Sequence, residues 1–241
     1  MIDSILILAA GRGARLANLT KTTPKPLLKI DALNSTILDR LIHQCVREFP
    51  ETPIHVNISY LAEKFLQHFY SEKVIFTPTF FYEKKALGPA RSLIEFQKLG
   101  YHKTLVIHGD LVLADLEFTK LADRIKEINY QIIVSHYRSN SQARSILNVE
   151  NNRVVSVEEI DLNSDKSLSK DVVSVCSGIY TIFAKSILNC DIKLGESLSP
   201  KLLNISVQSV LTREYHWRDW RFAVDSPKIY LEAKDKLLNQ F

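Results

Sequence analysis

The sequence holds 241 residues, 46% hydrophobic and 24% charged, a balance that excludes disordered, collagen-like and coiled-coil chains. A chain of this length hides roughly 70–75% of its unfolded surface, enough to build a core without disulfides. The net charge of +4 sits unevenly: residues 1–30 carry Arg12, Arg15, Lys21, Lys25 and Lys29 against the lone acid Asp3, and the remainder is balanced. A nucleic-acid reader spreads basic charge across a face, so this local excess predicts a small-anion site and no nucleic-acid partner. Three widely spaced cysteines, Cys45, Cys176 and Cys190, form no C-x-x-C pair and suggest neither a disulfide framework nor a zinc site. They read as reduced thiols of a cytoplasmic protein. Met1–Ala10 lacks a basic segment ahead of its short apolar run and does not read as a signal peptide. No apolar run nears the ~18–20 residues that span a bilayer, so no membrane partner is expected.

In chain order, Ser4–Ala10 is a continuous apolar run, read as a buried parallel strand. A glycine loop and a Thr/Pro-rich stretch follow, then Leu27–Ile30 as a short strand. Ser35 or Thr36 can cap a helix to about Phe49, with Ile37, Leu38, Leu41, Ile42, Cys45 and Val46 on one face. Ile54–Ile58 predicts a strand, Leu61–Tyr70 a helix, Val74–Thr77 a strand and Gly88–Leu99 a helix with Pro89 in its first turn. Lys103–His108 predicts a strand, Phe118–Ile128 a helix and Tyr130–Tyr137 a strand. This strand–helix alternation predicts a mostly parallel sheet covered on both faces. Beyond it, Ser145–Val149 and Arg153–Val157 flank Asn151-Asn152 as a hairpin, and Asn163–Asp171 reads as an exposed loop. Val172–Phe183, Val207–Tyr215 and Trp217–Val224 read as strands, and Pro227 opens a last helix to about Leu238. With no repeat and no linker, a single α/β domain with a mixed sheet is expected.

Only seven glycines occur, roughly 3% against a usual ~7%. Two lie in Leu8–Leu16 (L-A-A-G-R-G-A-R-L), directly after the first strand, where backbone N–H groups can wrap an anion. Arg12 and Arg15 can add charge-assisted bonds to phosphate oxygens. Lys25 follows in T-P-K-P, where Pro26 favours an extended Lys25 able to reach a phosphate as a point charge. The Walker pattern G-x-x-x-x-G-K-[ST] is absent, and a dinucleotide fingerprint would need its third glycine at Leu16. A plain basic turn is the remaining alternative for this loop taken alone.

L-A-A-G-x-G-x-R-L followed by T-P-K-P-L-L resembles the signature of the sugar-1-phosphate nucleotidylyltransferases over Leu6–Leu28. Ala14 and Ala17 depart from it where Thr or Ser, and Pro, are common. The family's further segments have counterparts in order: Glu83 before Leu87–Leu93 (L-G-P-A-R-S-L), Leu105–Asp110 (L-V-I-H-G-D), Ser177–Tyr180 (S-G-I-Y) and Val224–Ala233 (V-D-S-P-K-I-Y-L-E-A). Each has a bland alternative by itself: a helix cap at Gly88, a tight turn at Gly109-Asp110, a strand kink at Gly178, a helix start at Asp225-Ser226-Pro227.

The resemblance implies a Rossmannoid, glycosyltransferase-A-like α/β nucleotidyltransferase domain with a mixed, mostly parallel central sheet, spanning residues 1–241 as one catalytic domain. It implies transfer of a nucleotidyl group from an NTP to a sugar 1-phosphate with release of pyrophosphate, in nucleotide-sugar synthesis of the kind that feeds cell-envelope polysaccharide. Arg15, Lys25, Asp110 and Asp225 become the catalytic set, with Asp110 and Asp225 as Mg²⁺ ligands. Ala9, Ala10, Gly11, Arg12, Gly13, Glu83 and Gly88 become nucleotide-binding residues. His108, where Asn is usual, Glu158 and Gly178 become acceptor-binding residues. The partners implied are an NTP and a sugar 1-phosphate; a homo-oligomer is left open.

One departure matters. Relatives carry Glu-Lys-Pro after a strand, with the lysine on the sugar phosphate, whereas this chain has Glu158-Glu159-Ile160. A carboxylate cannot hold a phosphate dianion, so the grip must come from elsewhere: Arg144, Lys166, Lys170, Arg218 and Arg221 are candidates, each also explicable as surface charge. The sequence stops soon after the Asp225 segment, in which it resembles the short N-acetylmuramate, heptose and mannose 1-phosphate enzymes and the bacterial phosphocholine cytidylyltransferases. The last share Asp-Ser near this point. A cytidylyltransferase for phosphocholine or a similar phosphorylated alcohol, and a non-catalytic nucleotide-binding regulator, therefore stand as alternatives.

Overall fold

A computed structural model describes residues 1–70, 76–139, 145–159, 172–193 and 202–239. In chain order its elements are β1 (Ser4–Leu8), α1 (Ile37–Glu48), β2 (Ile54–Ile58), α2 (Ala62–Phe69), β3 (Thr79–Tyr82), α3 (Pro89–Gln97), β4 (Lys103–His108), β5 (Leu111–Leu113), α4 (Asp115–Glu127), β6 (Gln131–Ser139), β7 (Ser145–Glu150), β8 (Arg153–Glu159), β9 (Val172–Phe183), α5 (Leu203–Ser209), β10 (Thr212–His216), β11 (Arg221–Ala223) and α6 (Pro227–Leu238). They fall into two compact units, each assembled from three stretches of chain: Ser4–Ala86 with Ile107–Asp123 and Asp219–Phe241, and Met1–Asp3 with Leu87–Val106 and Arg124–Arg218.

The first unit carries the glycine loop. Its β1, β2 and β3 pair in parallel, Ile5 opposite Ile54 and His55 opposite Thr79. The apolar runs of β1 and β2 are buried on both faces, as parallel strands require. Helix α1 starts at a capping box: the Thr36 hydroxyl accepts from the Asp39 amide, and the Asp39 carboxylate accepts from the Thr36 amide. Its Ile37, Leu38, Leu41, Ile42 and Cys45 are buried. The short β5 and β11 form an antiparallel ribbon, Leu111 opposite Ala223 and Leu113 opposite Arg221. Ser226 caps α6, and Pro227 fills its first turn, where a missing N–H costs nothing.

The second unit is strand-rich. Here β9 is antiparallel to β6, β10 parallel to β6, β8 antiparallel to β10, and β7 antiparallel to β8. β7 also meets β9 at Ile146 and Val175, so these five strands close into a ring of pairings. Asn151 and Asn152, both at positive φ (49° and 64°), form the expected β7–β8 hairpin turn. A buried polar knot centres on Gln131, whose Nε2 donates to Ser206 and Thr212 and whose Oε1 accepts from the Phe183 amide. With parallel pairing among β1–β3, an antiparallel ribbon beside it and mixed pairing in the other unit, the chain is a mixed α/β protein, as expected.

Several boundaries differ from the sequence reading. Leu27–Ile30 is no strand. Lys25–Leu27 form a single 3-10 turn, and only Lys29 makes an isolated bridge, to Thr36. The third strand lies at Thr79–Tyr82 rather than 74–77, beginning just after Pro78, which cannot donate to a ladder; residues 74 and 75 lie outside the described residues. Val207–Ser209 end helix α5, and the strand starts at Thr212. Leu203, Ser206 and Val207 are buried there at helical spacing. Trp217–Val224 shrinks to the three residues of β11. The 163–171 loop expectation falls outside the described residues.

Candidate active site

Backbone geometry prepares the glycine loop. Gly13 lies at φ 63° and ψ 30°, and a Cβ there would meet Thr20 Cγ2 at 3.1 Å and the Lys25 Cβ at 3.2 Å. Another residue at position 13 would thus be strained in conformation and tight against Thr20 and Lys25. The Gly13 carbonyl accepts from the Leu16 amide and the Thr20 hydroxyl, which folds 14–20 into a 3-10 helix. Gly11, Arg12 and Arg15 are exposed, and Arg12 lies over the Tyr60 ring at 5.9 Å. Pro24 is extended and Pro26 sits inside the turn that Lys25 opens. Lys25 is therefore turned rather than extended, because a proline at the start of a helical turn forfeits no bond.

The two predicted metal ligands lie beside each other in sequence-distant segments joined by the β5–β11 ribbon. Asp110 immediately precedes β5, and its carbonyl accepts from the Val224 amide at 2.9 Å; Asp225 is the next residue. Each carboxylate is held by one of the predicted cations. Lys25 Nζ lies 2.6 Å from Asp110 Oδ2, with side chains only 14% and 24% exposed. Arg15 Nη1 lies 2.8 Å from Asp225 Oδ2, with side chains 58% and 32% exposed. The first pair is shielded and the second largely solvated. Burial alone would raise the Asp110 carboxyl, but Lys25, His108 and Arg221 outweigh it and hold it below the usual carboxylate range. Burial pushes the His108 imidazole down; Asp110 opposes this, while Lys25 and Arg221 reinforce it.

Gly109 explains the tight approach of this segment to the first strand. Its amide donates to the Leu8 carbonyl at 2.9 Å, and a Cβ would stand 2.8 Å from that same oxygen. At the other side of the loop, Asn57 of β2 was not singled out from sequence. Its Oδ1 accepts from the Ala9 and Ala10 amides at 2.5 and 3.3 Å, and its Nδ2 donates to Glu83 Oε1 at 2.9 Å. One buried side chain thus ties the end of β1 to the buried Glu83. The available signal was a polar Asn between Val56 and Ile58 in the strand I-H-V-N-I.

The remaining predicted residues belong to the second unit. Gly88, at φ 88°, is the N-cap of α3, and its carbonyl accepts from the Ser92 amide and hydroxyl. Glu158 is exposed on β8 and accepts from Asn148 Nδ2 at 2.7 Å. Gly178, at φ 80°, lies where the β6–β9 register shifts between Ile133 and Ser135, a β-bulge that needs its positive φ. Of the candidate phosphate cations, Arg144, Lys166 and Lys170 lie outside the described residues. Arg218 is exposed in the second unit, and Arg221 lies on β11 in the first.

Among the described residues no group of three or more His, Cys, Asp and Glu side chains could hold a metal ion. Two carboxylates alone match Mg²⁺, which keeps several waters and is bound by one or two carboxylates plus substrate phosphates. The donor set therefore fits the expected ion.

This fold and this paired-charge site are those of a nucleotidyltransferase. The nucleotidyl transferase family profile matches residues 4–159, and the chain belongs to that family. It is 32% identical over 114 residues to a 2-aminoethylphosphonate cytidylyltransferase of Lancefieldella rimae, covering 46% of this chain and 44% of that one. It is 25% identical over 243 residues to a UTP–glucose-1-phosphate uridylyltransferase of Synechocystis, covering 89% and 59%. The chain thus spans roughly half the length of these curated relatives. The solved HddC of Yersinia pseudotuberculosis superimposes with a TM-score of 0.76 at 20% identity, covering 98% of this chain and 99% of the other. The chain accordingly has the glycosyltransferase-A-like α/β fold. Among the described residues no helix is long and apolar enough to cross a membrane.

Proposed function

We propose that the chain is a cytoplasmic, Mg²⁺-dependent nucleotidyltransferase that joins an NTP to a sugar 1-phosphate, acting as one catalytic domain over residues 1–241 in nucleotide-sugar synthesis. The carrying observation is the pair of contacts Lys25–Asp110 and Arg15–Asp225: two cations from the glycine-loop region already lie on two carboxylates suited to a hard metal ion. In the reaction an acceptor phosphate oxygen bonds to the α-phosphorus, the bond from that phosphorus to the β-phosphate bridging oxygen breaks, and pyrophosphate leaves. The protein's work is positioning and charge stabilisation. Gly11, Arg12 and Gly13 wrap the triphosphate, Arg15 turns from Asp225 to the β- and γ-phosphates, and Lys25 turns from Asp110 to the α-phosphate and the incoming phosphate. Asp110 and Asp225 would hold the Mg²⁺, which would supply charge neutralisation for the phosphates. Glu83, steadied by Asn57, and Gly88 serve the base; His108, Glu158 and Gly178 serve the acceptor.

A second acceptor class is favoured by one specific feature. The Glu158-Glu159 pair in place of the relatives' Glu-Lys, with the 32% identity to a 2-aminoethylphosphonate cytidylyltransferase, supports a phosphorylated amino-alcohol or an aminoalkylphosphonate as alternative acceptor and CTP as donor. One assay separates these readings from a non-catalytic regulator: pyrophosphate release on mixing protein, Mg²⁺, each NTP and each of a set of acceptors. Release with a sugar 1-phosphate supports the first reading, release with phosphocholine or 2-aminoethylphosphonate the second, and nucleotide binding without release the regulator. Lys25→Ala should lower kcat/KM by at least ~10²-fold, the scale of one lost transition-state contact. Near-native turnover in that variant removes Lys25 from the chemistry.

A further inference from the structure

A nucleotide is read at its base and held at its phosphates, and in this chain the two tasks fall to the ends of different strands. β1 runs into the glycine loop, and β3 runs out to Glu83. β2 lies between them, with Leu8 opposite Asn57 and Asn57 opposite Phe81. Parallel pairing brings both ends to one edge of the sheet, the edge where open α/β sheets bind ligands. Two strand spacings, about 9.5 Å, still separate them. Asn57, only 2% exposed, bridges that distance. Its Oδ1 accepts from the Ala9 and Ala10 amides, and its Nδ2 donates to Glu83 Oε1 at 2.9 Å. All four residues lie in the unit that carries the glycine loop. Two N–H donors face one side of the amide and a carboxylate faces the other, so the oxygen belongs to the loop and the nitrogen to Glu83. Aspartate would lack the donor, and an apolar residue would lack both functions.

We infer that Asn57 is a positioning residue for nucleotide selection: one side chain fixes which atom of residue 83 meets the base and where the phosphate wrap begins. Because Nδ2 donates, residue 83 must turn an acceptor towards Asn57. Because Oδ1 takes the Ala9 and Ala10 amides, the wrap of the triphosphate starts at Gly11. Base contact and phosphate loop are thereby held in one fixed relation.

The assignment takes from the transferase reading only that Glu83 meets the base, so its test is binding rather than turnover. Calorimetric affinities of the intact chain are measured for each Mg–NTP and for Mg–tripolyphosphate, which has no base. Pyrophosphate release with mannose 1-phosphate, phosphocholine and 2-aminoethylphosphonate is measured separately. No release from any pair overturns the transferase reading and leaves Asn57 to be judged by the affinities; no NTP binding overturns both. Asn57→Asp keeps the acceptor for Ala9 and Ala10 but sets a carboxylate against Glu83. Affinity for the preferred NTP should fall at least about tenfold, the scale of one charge-assisted hydrogen bond, while that for tripolyphosphate stays within about twofold. Asn57→Ala removes both functions and should weaken both ligands. Glu83→Gln alone turns its carbonyl to Asn57 and its NH2 group to the base, and should lose the wild-type preference among NTPs. In the Asn57→Asp, Glu83→Gln double variant the NH2 group is drawn to the introduced carboxylate and an oxygen again meets the base, so the wild-type preference should return. Unchanged NTP affinity in Asn57→Asp overturns the assignment. Equal losses for NTP and tripolyphosphate in that variant mark a purely structural asparagine and overturn it too. So does a double variant whose preference matches Glu83→Gln alone, a comparison that holds even where Asn57→Asp does not fold, because the double variant pairs no carboxylates.

Discussion

Lys25 and Arg15 occupy the carboxylates that a metal ion would use, and this has a measurable consequence before any nucleotide arrives. A divalent cation approaching Asp110 must displace an ammonium 2.6 Å away in a pocket where unit charges 4 Å apart interact by about 4 kcal/mol at an effective dielectric of 20. Lys25→Gln keeps the size and removes the competitor. It should therefore bind Mn²⁺ in the absence of nucleotide at least about tenfold more tightly than wild type, read by electron paramagnetic resonance of free Mn²⁺. Equal affinities would show that the ion pair does not guard the carboxylate. Gly109 is the other residue whose effect can be stated beforehand. Its substitution by Ala sets a methyl group 2.8 Å from the Leu8 carbonyl oxygen, and the obstacle is backbone that cannot swing aside. Gly109→Ala should lose about 1–3 kcal/mol of stability, the usual cost of overpacking, measured as a fall in the urea midpoint. At this scale the sequence was informative where short motifs single a residue out: Arg15, Lys25, Asp110 and Asp225, picked from four motifs, meet in two ion pairs. It was silent on Asn57, whose partners Ala9, Ala10 and Glu83 lie 26 to 48 residues away and are joined only by folding.

Helix α1 shows how far one element carries its own instructions. Its apolar stripe and its Thr36 cap are both written locally, and the structure uses both. Thr36→Ala should cost about 1 kcal/mol, the usual worth of a cap, while Thr36→Ser keeps the hydroxyl and most of the stability. The same box is sensitive to acid. Burial raises the Asp39 carboxyl, but bonds from His68 Nε2 at 2.7 Å and from the Thr36 amide and hydroxyl outweigh it and hold it below its ordinary value. A carboxyl depressed in the folded state contributes stability in full above its unfolded value of about 3.9, and that contribution disappears as pH falls through the lower folded value. Denaturant midpoints should thus drop more steeply below about pH 4 in wild type than in Asp39→Asn, which has no carboxylate to protonate. Parallel curves would assign the acid sensitivity elsewhere. The elements misread from sequence share a cause: a turn residue or period overruled an apolar run. Two prolines turn Lys25–Leu27, Pro78 delays β3, and helix α5 claims Val207–Ser209 from a run that looked extended.

Across the whole molecule, the sequence conveyed the α/β class and the change of character between its halves. It did not convey that the chain leaves and re-enters each compact unit, because nothing local marks Ala86 to Leu87 or Arg218 to Asp219 as a crossing. Two cysteines report on the units separately. Cys45 is fully buried on α1 in the unit of the glycine loop, and burial pushes its thiol up. Cys176 lies on β9 in the other unit, and burial pushes its thiol up to about 12. Since the thiolate is the reactive form, neither should react with a disulfide reagent at pH 8 in the native protein, and at most Cys190, half-buried like Cys176 but outside any helix or strand, should label quickly. In concentrated guanidinium all three should react. If residues 1–241 fold as one cooperative domain, local opening leaves the Cys45 and Cys176 thiols silent and only global unfolding makes them reactive. Peptide mass spectrometry across a denaturant series should then give Cys45 and Cys176 the same labelling midpoint. Separate midpoints would show two units that unfold independently, and the catalytic domain would have to be drawn as two.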